Sequence, residues 1–193
     1  MLPELGDVDE EAGEFWFANP FMMISQGANL SAYERNKLYM NMNGETFLDF
    51  SFASGADIDS DSRSVVAADF TGDGASDLLV ASVGGGPLRL FQNKFPQGNR
   101  VSLDLIGVQS NRSAIGTRVI ARCGDRKIIR DLFTANGFMG QGPAKLTIGI
   151  GEETQVDELS IRWPTGELET YSDVAAGTLT TIREGEGIVD KQN

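Results

Sequence analysis

Asp69-Phe-Thr-Gly-Asp-Gly-Ala-Ser-Asp77, running directly into Leu78-Leu-Val-Ala-Ser-Val83, is the stretch on which the fold turns. Oxygen-bearing side chains stand at its first, third, fifth and ninth positions, and Gly74 stands at the sixth. A loop that wraps a cation turns alternate side chains inward. A glycine at the sixth position permits the sharp turn that presents the next carbonyl, here that of Ala75. The spacing predicts a Ca2+ site in which Asp69, Asp73 and Asp77 supply charged oxygens, Thr71 a hydroxyl and Ala75 its carbonyl. Three carboxylates within nine residues repel one another unless something compensates them, and their charge suits Ca2+ better than a mostly hydrated Mg2+. An Asp- and Gly-rich hairpin turn draws on the same residue types. An EF-hand would continue with Glu at the twelfth position and a helix. Here the twelfth position is Val80, inside an apolar run, so the loop joins two strands.

Outward from this loop the pattern is repetitive. Short apolar runs alternate with turn clusters of Gly, Asn and Ser, which predicts an all-β chain. Lys37–Met42, Thr46–Phe50, Ser64–Phe70, Asp77–Val83 and Pro87–Asn93 read as strands on the amino-terminal side. On the carboxy-terminal side seven more follow, in Val101–Val108, Thr117–Cys123, Lys127–Phe133, Lys145–Gly151, Asp157–Trp163, Leu168–Tyr171 and Thr178–Glu184. Asn136–Pro143 reads as a long glycine-rich connection. Ser31–Met40 has partial helical spacing, diluted by Asn36. Pro96 and Gly98 interrupt the strand pattern and mark a boundary between halves.

Composition narrows the chemistry. The chain of 193 residues has no histidine and one cysteine. Imidazole bases, Ser-His-Asp and Cys-His catalysis and His-ligated metals are excluded, as are internal disulfides and thiolate cages. Cys123, in the alternating run Thr117–Arg126, reads as a structural thiol. A metal here would be a hard cation held by oxygen. Net charge is −12, and residues 1–34 carry seven acids and no base. Nucleic acid is therefore not expected as a partner, because phosphate binding needs clustered cations. Arg112, Arg118, Arg122, Arg126, Lys127 and Arg130 form a locally basic stretch that reads as the solvated face of two strands. No apolar run approaches membrane-spanning length, and residues 1–14 lack the basic start and apolar core of a secretory signal. Asp57, Asp59 and Asp61 alternate as well, but Ser62 stands where the turn glycine belongs, so they read as a solvated turn. Gly6–Asn19 can be laid over Ala68–Ser82 as a faint repeat with a period of about 60 residues. Asn29-Leu-Ser31 and Asn111-Arg-Ser113 fit the glycosylation acceptor pattern.

Asp69–Val80, with the strand ending at Asn93, resembles the FG-GAP or VCBS repeat, the blade unit of integrin-α-type propellers. Tyr33–Ser51 resembles outer strands of the same repeat. Downstream, Ser110-Asn111-Arg112, Ile115-Gly116-Thr117-Arg118-Val119, Gly149-Ile150-Gly151 and Trp163-Pro164-Thr165-Gly166 resemble the ASPIC/UnbV domain, which closes proteins of the cartilage acidic protein type behind an FG-GAP propeller. Thr71 stands where that repeat usually has Asn or Asp, which weakens the expected site. Ile148-Gly-Ile-Gly151 replaces the usual Phe-Gly-Leu-Gly.

The resemblance implies four segments. Residues 1–32 would be an acidic leader or degraded repeat, 33–94 an FG-GAP/VCBS-type repeat with the calcium loop, 95–185 a β-sandwich-like ASPIC/UnbV domain, and 186–193 a tail. It further implies a non-catalytic calcium-binding module of an extracellular or cell-surface protein, without membrane insertion, that binds a protein or glycan ligand on the cell surface or matrix. A propeller needs at least four blades. The structural alternative therefore makes this chain the terminal piece of a larger assembly, completed by the rest of a propeller or another subunit. A third reading, a carbohydrate-active or accessory biosynthetic enzyme, would use carboxylates, with Trp163 or Trp16 stacking on a sugar.

Overall fold

The computed structural model describes residues 35–42, 44–60, 62–82 and 87–192. The faint repeat at Gly6–Asn19, Trp16, the Asn29 acceptor triplet and Asp61 lie outside the described residues. The chain divides into two compact units. One comprises Met1–Asn93 with Gly137–Gly140, the other Lys94–Asn136 with Gln141–Asn193. The described residues are mostly β-strand, as the alternating pattern predicts, and none of their helices is long and apolar enough to cross a membrane.

In the first unit β1 (Tyr39–Met42) and β2 (Thr46–Asp49) form a two-stranded antiparallel sheet. A single helical turn, α1 (Ser51–Ser54), follows it and ends at Gly55 in the left-handed conformation. Then β3 (Ser62–Ala68), β4 (Asp77–Ser82) and β5 (Arg89–Phe91) make a separate sheet in the order β3-β4-β5. The segment 33–94, expected to be one repeat, thus contributes two open sheets. The helical spacing at 31–40 forms no helix over its described part, because Tyr39 and Met40 pair in β1. Arg35 donates to the Asp57 carboxylate at 2.7 Å, and its backbone forms an isolated antiparallel β-bridge with that of Asp59. Few side chains of this unit are buried; Ala56, Ala75, Asp77 and Val80 are among them.

The second unit is built from longer strands with stricter alternation. β6 (Asn99–Ile106), β7 (Arg118–Cys123), β8 (Arg126–Asp131), β11 (Lys145–Gly151), β12 (Gln155–Arg162), β13 (Leu168–Ala175), β14 (Leu179–Arg183) and β15 (Gly187–Gln192) form two four-stranded sheets, ordered β11-β6-β14-β15 and β13-β12-β7-β8. Alternate residues of both sheets, such as Val101, Leu103 and Leu105 on β6 and Leu159 and Ile161 on β12, meet in one core closed by Trp163. That period of two is what buries one face of each strand.

Two features depart from what the sequence predicts, and a third, the direction of β14, lies beyond it. Residues 186–193, expected to be a tail, supply β15, paired antiparallel with β14. Within Asn136–Pro143 a small ribbon forms between β9 (Ala135–Asn136) and β10 (Gly140–Gln141). β14 runs parallel to β6, with Thr180 opposite Leu103.

Candidate functional site

The loop between β3 and β4 is closed by Asp77. It sits at the first position of β4, opposite Ala68, and is fully buried. Its Oδ2 accepts from the Phe70 N–H, the Thr71 N–H and the Thr71 hydroxyl, each at 3.1 Å, and its Oδ1 accepts from the Asn93 N–H at 2.8 Å. The Asn93 bond is the largest influence holding this carboxyl below the usual range. Burial opposes it, and the donors from Thr71 and Phe70 add to it. Asp69 accepts from the Gly72 N–H at 2.7 Å and the Gly74 N–H at 2.8 Å, and Asp73 from the Ala75 N–H at 2.9 Å. Gly72 and Gly74 both take positive φ, near 75° and 80°, so the chain doubles back in a conformation only glycine adopts freely.

The residues chosen from the sequence do come together in one loop, but with a different internal chemistry. Backbone N–H groups reach all three carboxylates. Thr71 directs its hydroxyl to Asp77, and among the described residues no three acidic side chains converge as a metal cage. A carboxylate with four protein donors has little remaining capacity for an ion. As folded, Asp69, Thr71, Asp73, Ala75 and Asp77 form a closed turn, and the donor set does not fit Ca2+ in this arrangement.

A second constellation, absent from the sequence reading, organises the other unit. Glu184, just past β14, is buried, and its carboxylate gathers the loop at 107–117. Its Oε2 accepts from the N–H groups of Val108, Gln109 and Ser110 at 2.7, 2.8 and 2.7 Å. Its Oε1 accepts from the Ser110 hydroxyl at 2.7 Å and the Thr165 hydroxyl at 3.1 Å. Burial disfavours the charged form, yet the donors from Ser110, Val108 and Thr165 outweigh it and hold the carboxyl down at about 2. Asn111 braces the same loop, accepting from the Ile115 N–H and donating to the Ile115 carbonyl. Thr117 donates its hydroxyl to the Ala114 carbonyl at 2.6 Å. Gly107 lies so close to Asn111 that an added Cβ would sit 2.1 Å from its carbonyl oxygen.

Three distant motifs, Ser110–Val119, Trp163–Gly166 and the Thr-Ile-Arg-Glu at 181–184, therefore form one hydrogen-bonded knot. Glu184 carried no signal in the sequence beyond being an acid at the end of an alternating strand. Five protein donors surround it, and an ionised carboxylate held in this way has no proton to give at neutral pH. Trp163 is 1% exposed, so it cannot stack on a sugar ring. Cys123 is buried in the core, and burial pushes its thiol up, consistent with a structural side chain.

The first unit also contains a cleft of about 330 Å3, lined by Leu38, Ala56, Val65, Leu78, Val80 and Phe91. The buried hydroxyl of Ser62 at its side lacks a hydrogen-bond partner among the described residues.

No curated protein matches the chain. Residues 107–189 match the family model described as ASPIC and UnbV. The match begins directly after β6, although β6 lies between β11 and β14 in the same sheet, so the structural unit extends beyond the matched span. Residues 107–189, a span that includes the knot around Glu184, are thus similar to the ASPIC/UnbV family.

Proposed function

We propose that the chain is a non-catalytic binding module, in which the ASPIC/UnbV domain is the self-supporting part and the first unit belongs to a larger propeller-type β assembly. The observation carrying this reading is the contrast in burial. The core cluster of the described residues draws on residues between Val101 and Ile182 alone. The first unit leaves Tyr39, Phe47, Leu48 and Leu90 exposed on two small open sheets, and Phe52 in α1 and Leu88 before β5 exposed as well. Exposed large apolar side chains and unpaired strand edges call for covering by further β structure. The remainder of a propeller, in a longer polypeptide or another subunit, fits that need. The FG-GAP/VCBS resemblance of Asp69–Asn93 supports the same reading, with an extracellular or cell-surface setting and a protein or glycan ligand. Binding is favoured over catalysis because Asp77 and Glu184, the best-defined acidic sites, use their oxygens to hold loops in place.

Limited proteolysis read by mass spectrometry tests this. In the isolated chain, cleavage within residues 35–93 should precede cleavage within residues 94–192. Equal resistance of the two units would show that the first is complete in itself and would overturn the assembly reading.

A further inference from the structure

β8 is an edge strand, paired with β7 on one side only, and every residue of it except Ile128 is at least largely exposed. Its backbone orientation follows from the residue just beyond it. The Leu132 N–H donates to the Thr117 carbonyl at 2.8 Å, and the Leu132 carbonyl accepts from the Gly116 N–H at 2.9 Å, so position 132 faces the β7 side. Antiparallel alternation then turns the backbone of Arg130, Ile128 and Arg126 towards β7, and that of Asp131, Ile129 and Lys127 away from it. The Ile129 carbonyl agrees with this parity, because it accepts from the Arg130 side chain at 2.9 Å. Three residues therefore offer N–H and C=O groups at an open edge.

The charge around this edge is opposite to that of the whole chain. The β7–β8 hairpin, residues 118–131, has five bases, Arg118, Arg122, Arg126, Lys127 and Arg130, against two acids, Asp125 and Asp131, in a chain of net charge −12. Asp131 is already taken by Arg118, through bonds of 2.7 and 2.9 Å. Ile129 adds an exposed apolar side chain between the cations. A second copy of the same edge would set cation against cation, which disfavours self-pairing.

We propose that the open edge of β8 receives an extended acidic peptide as a fifth strand of this sheet. Its backbone pairs with Lys127, Ile129 and Asp131, and its carboxylates meet Lys127 and Arg130, while Arg126 donates to the Ile150 carbonyl within the domain. Backbone bonds supply the affinity of such strand addition, and side chains of alternating direction supply the selectivity. The inference gives the binding reading a partner chemistry, but through a different unit, so failure of one leaves the other standing.

The test uses the full chain and a short, end-blocked, fluorescently labelled peptide of alternating Glu and Val. Ile129→Pro removes an outward N–H without removing a bond to β7. It should weaken binding at least about threefold, whereas Lys127→Glu combined with Arg130→Glu should abolish it. Added salt should weaken it as well. On the wild-type chain, the peptide should slow amide hydrogen exchange at Lys127, Ile129 and Asp131. That measurement decides the matter if circular dichroism shows Ile129→Pro to be unfolded. Unchanged exchange at those three amides overturns the proposal. So does capture of a heparin-derived oligosaccharide by the same cations with no binding of the peptide, which would make this a surface for sulfated glycans.

Discussion

Replacing Glu184 with alanine removes the acceptor for three N–H groups and two hydroxyls at once. Hydrogen bonds to a charged group contribute about 1.5–3 kcal/mol each, but truncation costs are not additive. Val108 is half exposed and Gln109 is exposed, so water can satisfy their N–H groups once the carboxylate is gone. The Ser110 donors and the Thr165 hydroxyl are less accessible. A loss of about 2–4 kcal/mol is therefore expected, because a buried neutral donor left without an acceptor costs about 1–3 kcal/mol. For a unit of this size that lowers Tm by roughly 10 °C or more. The assay is thermal and urea unfolding followed by Trp163 fluorescence in a Trp16→Phe background. Glu184→Gln keeps one acceptor oxygen and should fall between wild type and Glu184→Ala. The pH dependence has a definite sign. The carboxyl titrates near 4.5 when unfolded and at about 2 when folded, so its contribution is full above 4.5 and is lost as pH falls towards 2. Both variants should lose that acid-side dependence. A Glu184→Ala protein within about 1 kcal/mol of wild type, or one that keeps the full acid slope, would refute the view that this carboxylate ties the loop at 107–117 to the sheet.

The loop at Asp69–Asp77 should hold without an ion. Millimolar CaCl2 should leave the unfolding of the first unit unmoved, whereas Asp77→Ala should lower its Tm in buffer with or without chelator. A rise in Tm with calcium that Asp73→Ala removes would show instead that the loop reorganises around the cation, since a ligand stabilises only the state that binds it. Gly107→Ala should destabilise the second unit by about 1–3 kcal/mol, because its methyl group would overlap the Asn111 carbonyl. Urea unfolding measures it, and an unchanged midpoint would mean that the backbone there is free to move.

Much of the architecture was legible from local pattern. β11 coincides with the predicted Lys145–Gly151, and β6, β7, β8 and β12 lie within about two residues of their predicted starts. Strict alternation over six to eight residues leaves little ambiguity about which face is buried. The ASPIC/UnbV resemblance was legible for a related reason. Its Ser110–Val119 and Trp163–Gly166 phrases fix tight turns, such as that of Gly116 with φ near 98°, and turns tolerate few residue types. β15 was missed because Gly187–Gln192 is short and polar at its end and acquires strand structure by pairing with β14.

The sequence alone determined the strands, the turns and the exclusion of imidazole and paired-thiol chemistry, because each depends on residue type or on neighbours a few positions apart. Only the tertiary structure decided how the acidic residues are used. Asp77 meets Asn93 across 16 residues, and Glu184 meets Ser110 across 74, and no spacing rule encodes either approach. An Asp or Glu in the sequence is a negative charge that awaits a partner. Whether that partner is a cation or a set of backbone N–H groups depends on which donors the fold brings within about 3 Å of it.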